Sequence, residues 1–215
     1  MPLPATPLRP LGTALLLLGL AACGGSAPPA TFDLTAPRQR LGGGGIVRGQ
    51  VVVPEPVTVQ TLEADRILVK DAGGAVSFLP GGQWADRLPR LVQARLIQTF
   101  ENASRIQAVS RPGDRISADY QLNSELRSFQ IQPSTGEAVV EISAKVVNDR
   151  EGRIVAARVF EARVPVPALD AANAASALDQ ALSRVLLDIV RWVGTNKGPA
   201  PRPGPVAASA AGAPG

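Results

Sequence analysis

Apolar and polar positions change period along this chain, and each change marks an element. Thr31-Phe32-Asp33-Leu34 alternates over a few residues and predicts a short strand. Ile46 to Val53 is rich in β-branched residues and is stopped by Pro54 and Pro56, so a second strand is expected there. Arg66-Ile67-Leu68-Val69-Lys70 predicts a third. Asp71-Ala72-Gly73-Gly74 then reads as a turn, with Ala75-Val76-Ser77-Phe78 returning as a hairpin partner.

The period then becomes helical. Trp84, Leu88, Leu91, Val92, Leu96 and Phe100 recur at three- and four-residue spacing, predicting a helix from about Trp84 to Ala103. Arg87, Arg90, Gln93 and Gln98 fall largely off its stripe, and Pro89 either sits in the first turn, where its missing N–H is harmless, or marks the true start of the helix after a short lead-in. Three longer strands follow. Ser117 to Gln132 alternates through Tyr120, Leu122 and Leu126, then changes parity to Phe129 and Ile131, which predicts a bulge or a strand passing beyond the sheet. Ala138, Val140, Ile142, Ala144 and Val146 alternate with polar residues, predicting a strand buried on one face. The turn at Asn148-Asp149-Arg150-Glu151-Gly152 leads to its partner, Ile154 to Val164. There Arg158 has the parity of the apolar residues, which predicts an edge strand guarded by an inward charge.

Ala171, Ala175, Leu178, Leu182, Val185, Ile189 and Trp192 predict a last helix from about Asp170 to Val193, with Asp170 capping its start and Gly194 its end. Ala174, Ala181, Leu186 and Val190 broaden its stripe, which favours packing on a sheet over a coiled coil. The order is strands, helix, strands, helix. The expected fold class is α/β: a single domain, with two main helices packed on a mixed β-sheet in a layered αβ sandwich.

The two ends of the chain read differently. Met1 to Ala22 has the form of a secretory signal peptide, with Arg9 as its charge and an apolar run from Leu11 to Leu20 too short to span a membrane. Leu20-Ala21-Ala22-Cys23 resembles the bacterial lipobox, which implies cleavage before Cys23 and acyl lipid on its thiol. Residues 23–31 then form the lipidated cysteine and a tether, Gly24-Gly25-Ser26-Ala27-Pro28-Pro29. Gly24, where an Asp would retain such a protein at the inner membrane by the usual sorting pattern, implies the periplasmic face of the outer membrane. Residues 32–197 form the folded domain, and 198–215 an Ala/Pro/Gly tail predicted to be disordered.

Composition narrows the chemistry. The 215 residues are 45% hydrophobic and 19% charged, as a folded domain requires. They include no histidine and one cysteine, which removes Cys/His metal sites, histidine-based triads and intrachain disulfides. The net charge of +4 is spread over scattered arginines and aromatics are 4%, so no nucleic-acid surface is expected. Gly42 to Gly45 precedes a strand rather than a helix and reads as a linker, not a phosphate loop. Asp114 with Asp119, and Glu137 with Glu141, read as solvent-face charge. No catalytic, cofactor-binding or metal-binding residue is assigned.

Short segments carry a family resemblance. Phe32-Asp33-Leu34, Leu62 to Val69 with its Asp65-Arg66 pair, and Trp84-Ala85-Asp86-Arg87-Leu88 stand in the order and spacing of the ABC-type transport auxiliary lipoprotein family, which contains the PqiC-like lipoproteins. The family's Leu-Asp-Arg pattern is interrupted here by Glu63-Ala64. The resemblance covers about Phe32 to Val193. It implies a non-enzymatic lipoprotein accessory of an MCE-type ABC system that moves lipids or other hydrophobic molecules between membranes. An MCE-domain protein would be its partner, and the membrane would be reached through the lipid anchor. A structural envelope lipoprotein with no transporter is the alternative. The motif residues Phe32, Leu34, Leu62, Asp65, Arg66, Trp84, Ala85, Asp86 and Leu88 are expected to be architectural. A ring-like homo-oligomer would suit a ring-shaped partner, though no copy number follows from the sequence.

Overall fold

The computed structural model describes residues 28–39, 47–103, 106–115 and 117–195. The elements are β1 (Ala30–Phe32), β2 (Val47–Val52), β3 (Val57–Thr58), a 3-10 turn (Gln60–Leu62), β4 (Arg66–Lys70), β5 (Val76–Trp84) and α1 (Leu88–Ala103). Then come β6 (Ile106–Ser110), β7 (Tyr120–Gln132), β8 (Glu137–Asn148), β9 (Arg153–Pro165) and α2 (Ala171–Thr195). Among the described residues the strands join one mixed sheet, and both helices pack with it in an α/β fold.

The spine of the sheet is β7. Along one edge it pairs antiparallel with β8 over its whole length. The other edge is shared by β2, β3 and β4, which lie parallel to β7 and follow one another along it. Val51 meets Tyr120, Val57 meets Glu125, and Val69 meets Ile131. The prolines at 54 and 56 interrupt this climbing segment, because a proline cannot donate to the ladder. β6 extends the sheet beside β2, and β5 and β1 extend it beside β4. The parity switch is a bulge between Leu126 and Ser128. It keeps Leu122, Leu126, Phe129 and Ile131 on the same buried face.

Helix α2 lies across β7, β8, β9 and β5 and also touches α1. Its stripe of Ala174, Leu178, Leu182, Val185 and Ile189 is buried, widened by Ala181, Leu186 and Val190. Asp170 caps its start, the carboxylate accepting the Asn173 N–H at 2.9 Å. At the other end Gly194 lies inside the last turn instead of beyond it, and the helix runs on to Thr195, whose hydroxyl donates to the Trp192 carbonyl. Trp192 packs edge-on against Phe160 of β9. β9 pairs only with β8 among the described residues, as an edge strand does, and Arg158 lies exposed, extending over the Phe160 ring at 5.1 Å.

Other features also differ from the pattern reading. Helix α1 starts at Leu88, so Pro89 marks its true start, while Trp84 ends β5, since the four-residue step from Trp84 to Leu88 mimics a helical stripe across a strand-to-helix junction. Gln93 is buried, its amide donating to the Val53 carbonyl at 2.9 Å, where α1 crosses the end of β2. β8 is buried on more than one face. Val139 and Ser143 are covered too, because the strand is central and ion pairs of Arg127 with Glu141 and of Arg163 with Glu137 bridge across the sheet's outer side. The short strands β3 and β6 carry no alternation long enough to announce themselves.

β5 approaches α2 closely at Gly82. A Cβ built there lies 2.6 Å from the Ala171 Cβ and 3.0 Å from the Phe32 ring. Gly82→Ala is therefore expected to destabilise the fold by about 1–3 kcal/mol through overpacking. Urea unfolding measures this, and adding Ala171→Gly should recover part of the loss.

Candidate functional site

The family-motif residues, scattered along the sequence, meet in one junction. Phe32 of β1 pairs in register with Trp84 of β5, and the Phe32 carbonyl accepts the Ala85 N–H at 2.8 Å. The Asp65 carbonyl accepts the Trp84 N–H at 2.6 Å, and the neighbouring Ala64 carbonyl accepts that of Leu88. The N–H of the first residue of α1 thus finds a partner outside the helix, which it needs because the first turn has no acceptor of its own. Leu34, Leu62, Trp84 and Leu88 are buried together in the core, and Trp84 meets Phe129 of β7 edge-to-face at 5.6 Å. Among the described residues the Trp84 indole N–H has no hydrogen-bond partner. Arg66 is exposed and lies over the Phe78 ring at 4.7 Å.

Polar groups clamp the rim of this junction. Arg87 bridges Glu55 and Glu63, at 2.9 and 2.8 Å. Arg95, from the middle of α1, reaches Asp33 at 2.6 Å. Thr35 donates its N–H and hydroxyl to Asp179 of α2, both at 2.7 Å, tying the segment after β1 to the last helix. These partnerships cross long sequence separations, and no spacing rule reveals them. Exposed pairs of this kind add little stability each, so their role is to fix the approach of the segments.

Two carboxyls at helix starts titrate below the usual carboxylate range. Asp86 is lowered chiefly by the Arg87 backbone N–H, with Arg90 adding to the effect. Asp170 is lowered by the backbone and side-chain donors of Asn173. A depressed folded-state value means a stabilising contribution that is complete above the ordinary value of 3.8 and is lost as pH falls through the lowered one. Asp170→Asn keeps a capping oxygen but not the charge. It should flatten the decline of the urea midpoint as pH falls below 3.8, a series that circular dichroism can follow.

The carboxylates noticed in sequence are not gathered into a cluster. Asp119 accepts the Gln50 N–H and pairs with Arg150, while Asp114 accepts the Arg111 N–H. Glu137 pairs with Arg163, and Glu141 with Arg127. Among the described residues no group of three or more His, Cys, Asp or Glu is placed to hold a metal ion, and no helix is long and apolar enough to cross a membrane. Leu20, Ala21, Ala22 and Cys23, the tether up to Ala27, the Gly42–Gly45 linker and the tail lie outside the described residues.

The fold and junction define a layered α/β domain whose strand-to-helix corner is built from three separated segments. Its sequence matches the profile described as the ABC-type transport auxiliary lipoprotein component over residues 32–190, and the chain belongs to that family. A protein of Bradyrhizobium diazoefficiens, the uncharacterised bll6063, is 37% identical over 185 residues. That alignment takes in 82% of this chain and 49% of the relative, so the chain spans about half the length of that relative. Among solved structures, protein XCC0632 from Xanthomonas campestris superimposes with a TM-score of 0.72 at 26% identity, covering 77% of this chain and 94% of that one. A second crystal structure, of an uncharacterised protein, shares the fold at a TM-score of 0.63 and 14% identity over 78% of this chain and 99% of its own.

Proposed function

We propose that this protein is a lipid-anchored accessory of an MCE-type ABC transport system, facing the periplasm from the outer membrane. It would serve the movement of lipids or other hydrophobic molecules between the membranes, without catalysing a reaction. One observation carries the reading: a lipobox-like Leu20-Ala21-Ala22-Cys23 stands shortly before a domain of the auxiliary lipoprotein family. Acylation of Cys23 would supply the anchor, and the domain would supply a docking body for an MCE-domain protein. The chain has no Gly-x-x-x-x-Gly-Lys-Ser/Thr segment, so the nucleotide chemistry would belong to another subunit.

The test is an affinity pull-down of the full-length lipidated protein from membranes in mild detergent, followed by mass spectrometry. Recovery of an MCE-domain protein with its permease and ATPase is the expected result. A clean preparation that contains none of them, from cells that produce all three, would overturn the transport role and leave an envelope scaffold.

A further inference from the structure

The two ends of the sheet differ in what their turns carry. At the end where β7 starts, the β8–β9 turn holds Asp149, Arg150 and Glu151, and Arg111, Asp114 and Arg115 lie beside it. At the other end the β7–β8 turn is Pro133-Ser134-Thr135-Gly136, and the chain passing from β9 to α2 is Pro165-Val166-Pro167-Ala168-Leu169. Neither of these carries a charged side chain. The β4–β5 turn reaches the same level, since Val69 pairs with Ile131 and Lys70 with Val76, and it adds one charge of each sign, Lys70 and Asp71.

The sparsely charged end is the one from which the N-terminus enters. β1 runs parallel to β5, which starts at that end with Val76, and Ala30 pairs with Gly82. Gly82 in turn lies against Ala171, the first residue of α2. Cys23 stands five residues before Pro28, no more than about 18 Å of extended chain. A bilayer holding an acylated Cys23 is therefore kept close to the Pro165–Leu169 segment.

That segment suits a head-group region. Pro165, Pro167, Ala168 and Leu169 are exposed, Leu169 at 54%. A backbone donor left without a partner is what makes loops costly in low-dielectric surroundings. From Pro165 to Pro167 there is none, because the two prolines have no N–H and the Val166 N–H donates to the Gly136 carbonyl at 2.8 Å. Asp170 follows as the cap of α2, and inserting the one side chain before it leaves its carboxylate at the aqueous level of the head groups. Val57 and Val159 are exposed too, but they lie along the middle of the sheet, opposite Glu125 and Ser143.

We propose that Pro165–Leu169 rests on the bilayer that carries the anchor and inserts Leu169 among the lipid head groups, a second contact that fixes which way the domain faces. The proposal rests on the reading of Cys23 as the lipid-bearing residue. Interfacial affinity scales with the apolar area buried, so one leucine is too weak to bind the protein alone and acts only where a tether has already brought it to the surface.

The full-length lipidated protein in vesicles of phosphatidylethanolamine and phosphatidylglycerol provides the test. Cys23 is the only cysteine and acylation occupies it, so Ala168→Cys offers a single thiol for an environment-sensitive nitrobenzoxadiazole label. A spin-labelled phospholipid in the vesicles should quench that label, and should leave unquenched a label on Glu151→Cys in the β8–β9 turn. Leu169→Glu should weaken the quenching at position 168 by at least about threefold, while Val159→Glu should leave it unchanged. Leu169→Ser, which adds no charge, decides the matter if the glutamate variant has a lowered urea midpoint. Intact mass and vesicle flotation separate the proposal from its premise. A protein that floats with acyl mass on Cys23 but shows no quenching at 168, equal quenching at 151, or undiminished quenching in Leu169→Glu overturns the membrane contact and leaves the anchor standing. A label at 168 that is shielded from water yet unquenched shows the loop covered by a second copy of the chain, which also overturns it. Absence of acyl mass on Cys23 removes the anchor reading, and the proposal falls with it.

Discussion

Trp84→Ala is expected to lower the stability of the folded domain by about 3–5 kcal/mol. The side chain is 1% exposed and sits where β1, β4, β5 and the start of α1 converge. Its removal forfeits the transfer of a large ring out of water, its edge-to-face contact with Phe129, and the packing of Leu88 and Leu34 around it. For a domain of this size the melting temperature should fall by about 10 °C, at some 2–4 °C per kcal/mol. Trp84→Phe should cost clearly less. It keeps an aromatic ring and removes an indole N–H that is buried without a partner among the described residues, a group whose loss carries little hydrogen-bonding penalty. Urea unfolding followed by circular dichroism distinguishes the two. If Trp84→Ala changed stability by less than about 1 kcal/mol, the junction would not be the closed core described above.

Cys23→Ser is expected to abolish acylation completely. The lipobox reading places a thioether-linked lipid on the thiol, and a serine hydroxyl offers no equivalent nucleophile. At about 0.8 kcal/mol for each buried CH2, several acyl chains hold a protein on a bilayer almost irreversibly, so the effect should be all-or-none rather than graded. Labelling cells with radioactive palmitate provides the readout. The wild-type protein should carry label and fractionate with membranes, and the serine variant should carry none. Label persisting on Cys23→Ser would refute the anchor, and with it the orientation proposed for the domain.

Much of the architecture could be read from period alone. β4 lies at Arg66–Lys70, where five consecutive residues announced it. The parity change in β7 was legible as either a bulge or a strand leaving the sheet, and the unbroken pairing with β8 on both sides of it makes it a bulge, an extra residue that restores the inward face. The turn before β9 was legible because Gly152, at φ +61°, occupies the position where a Cβ is disfavoured. Boundaries at junctions were less legible. Trp84 continues the spacing of α1 although its backbone is a strand, since burial against Phe129 asks only for a large apolar side chain. Gln93 looked like a solvent residue because its partner is the Val53 carbonyl, 40 residues away in sequence.

The candidate sites divide in the same way. Phe32, Asp65-Arg66 and Trp84-Ala85-Asp86 could be picked out as motifs, but their meeting through backbone hydrogen bonds could not.

By itself, the sequence determined the class of fold, the order of its elements, and the chemistry that a chain without histidine and with one cysteine has to forgo. Those properties follow from periodicity and composition, which act locally and survive any rearrangement of distant parts. Only the tertiary structure decided that β2, β3 and β4 share one edge of β7, that three motifs close one junction, and which arginines keep a carboxylate. Those outcomes depend on contacts between residues far apart in the chain. Such contacts are selected by the burial of the whole core at once, so no local stretch encodes them.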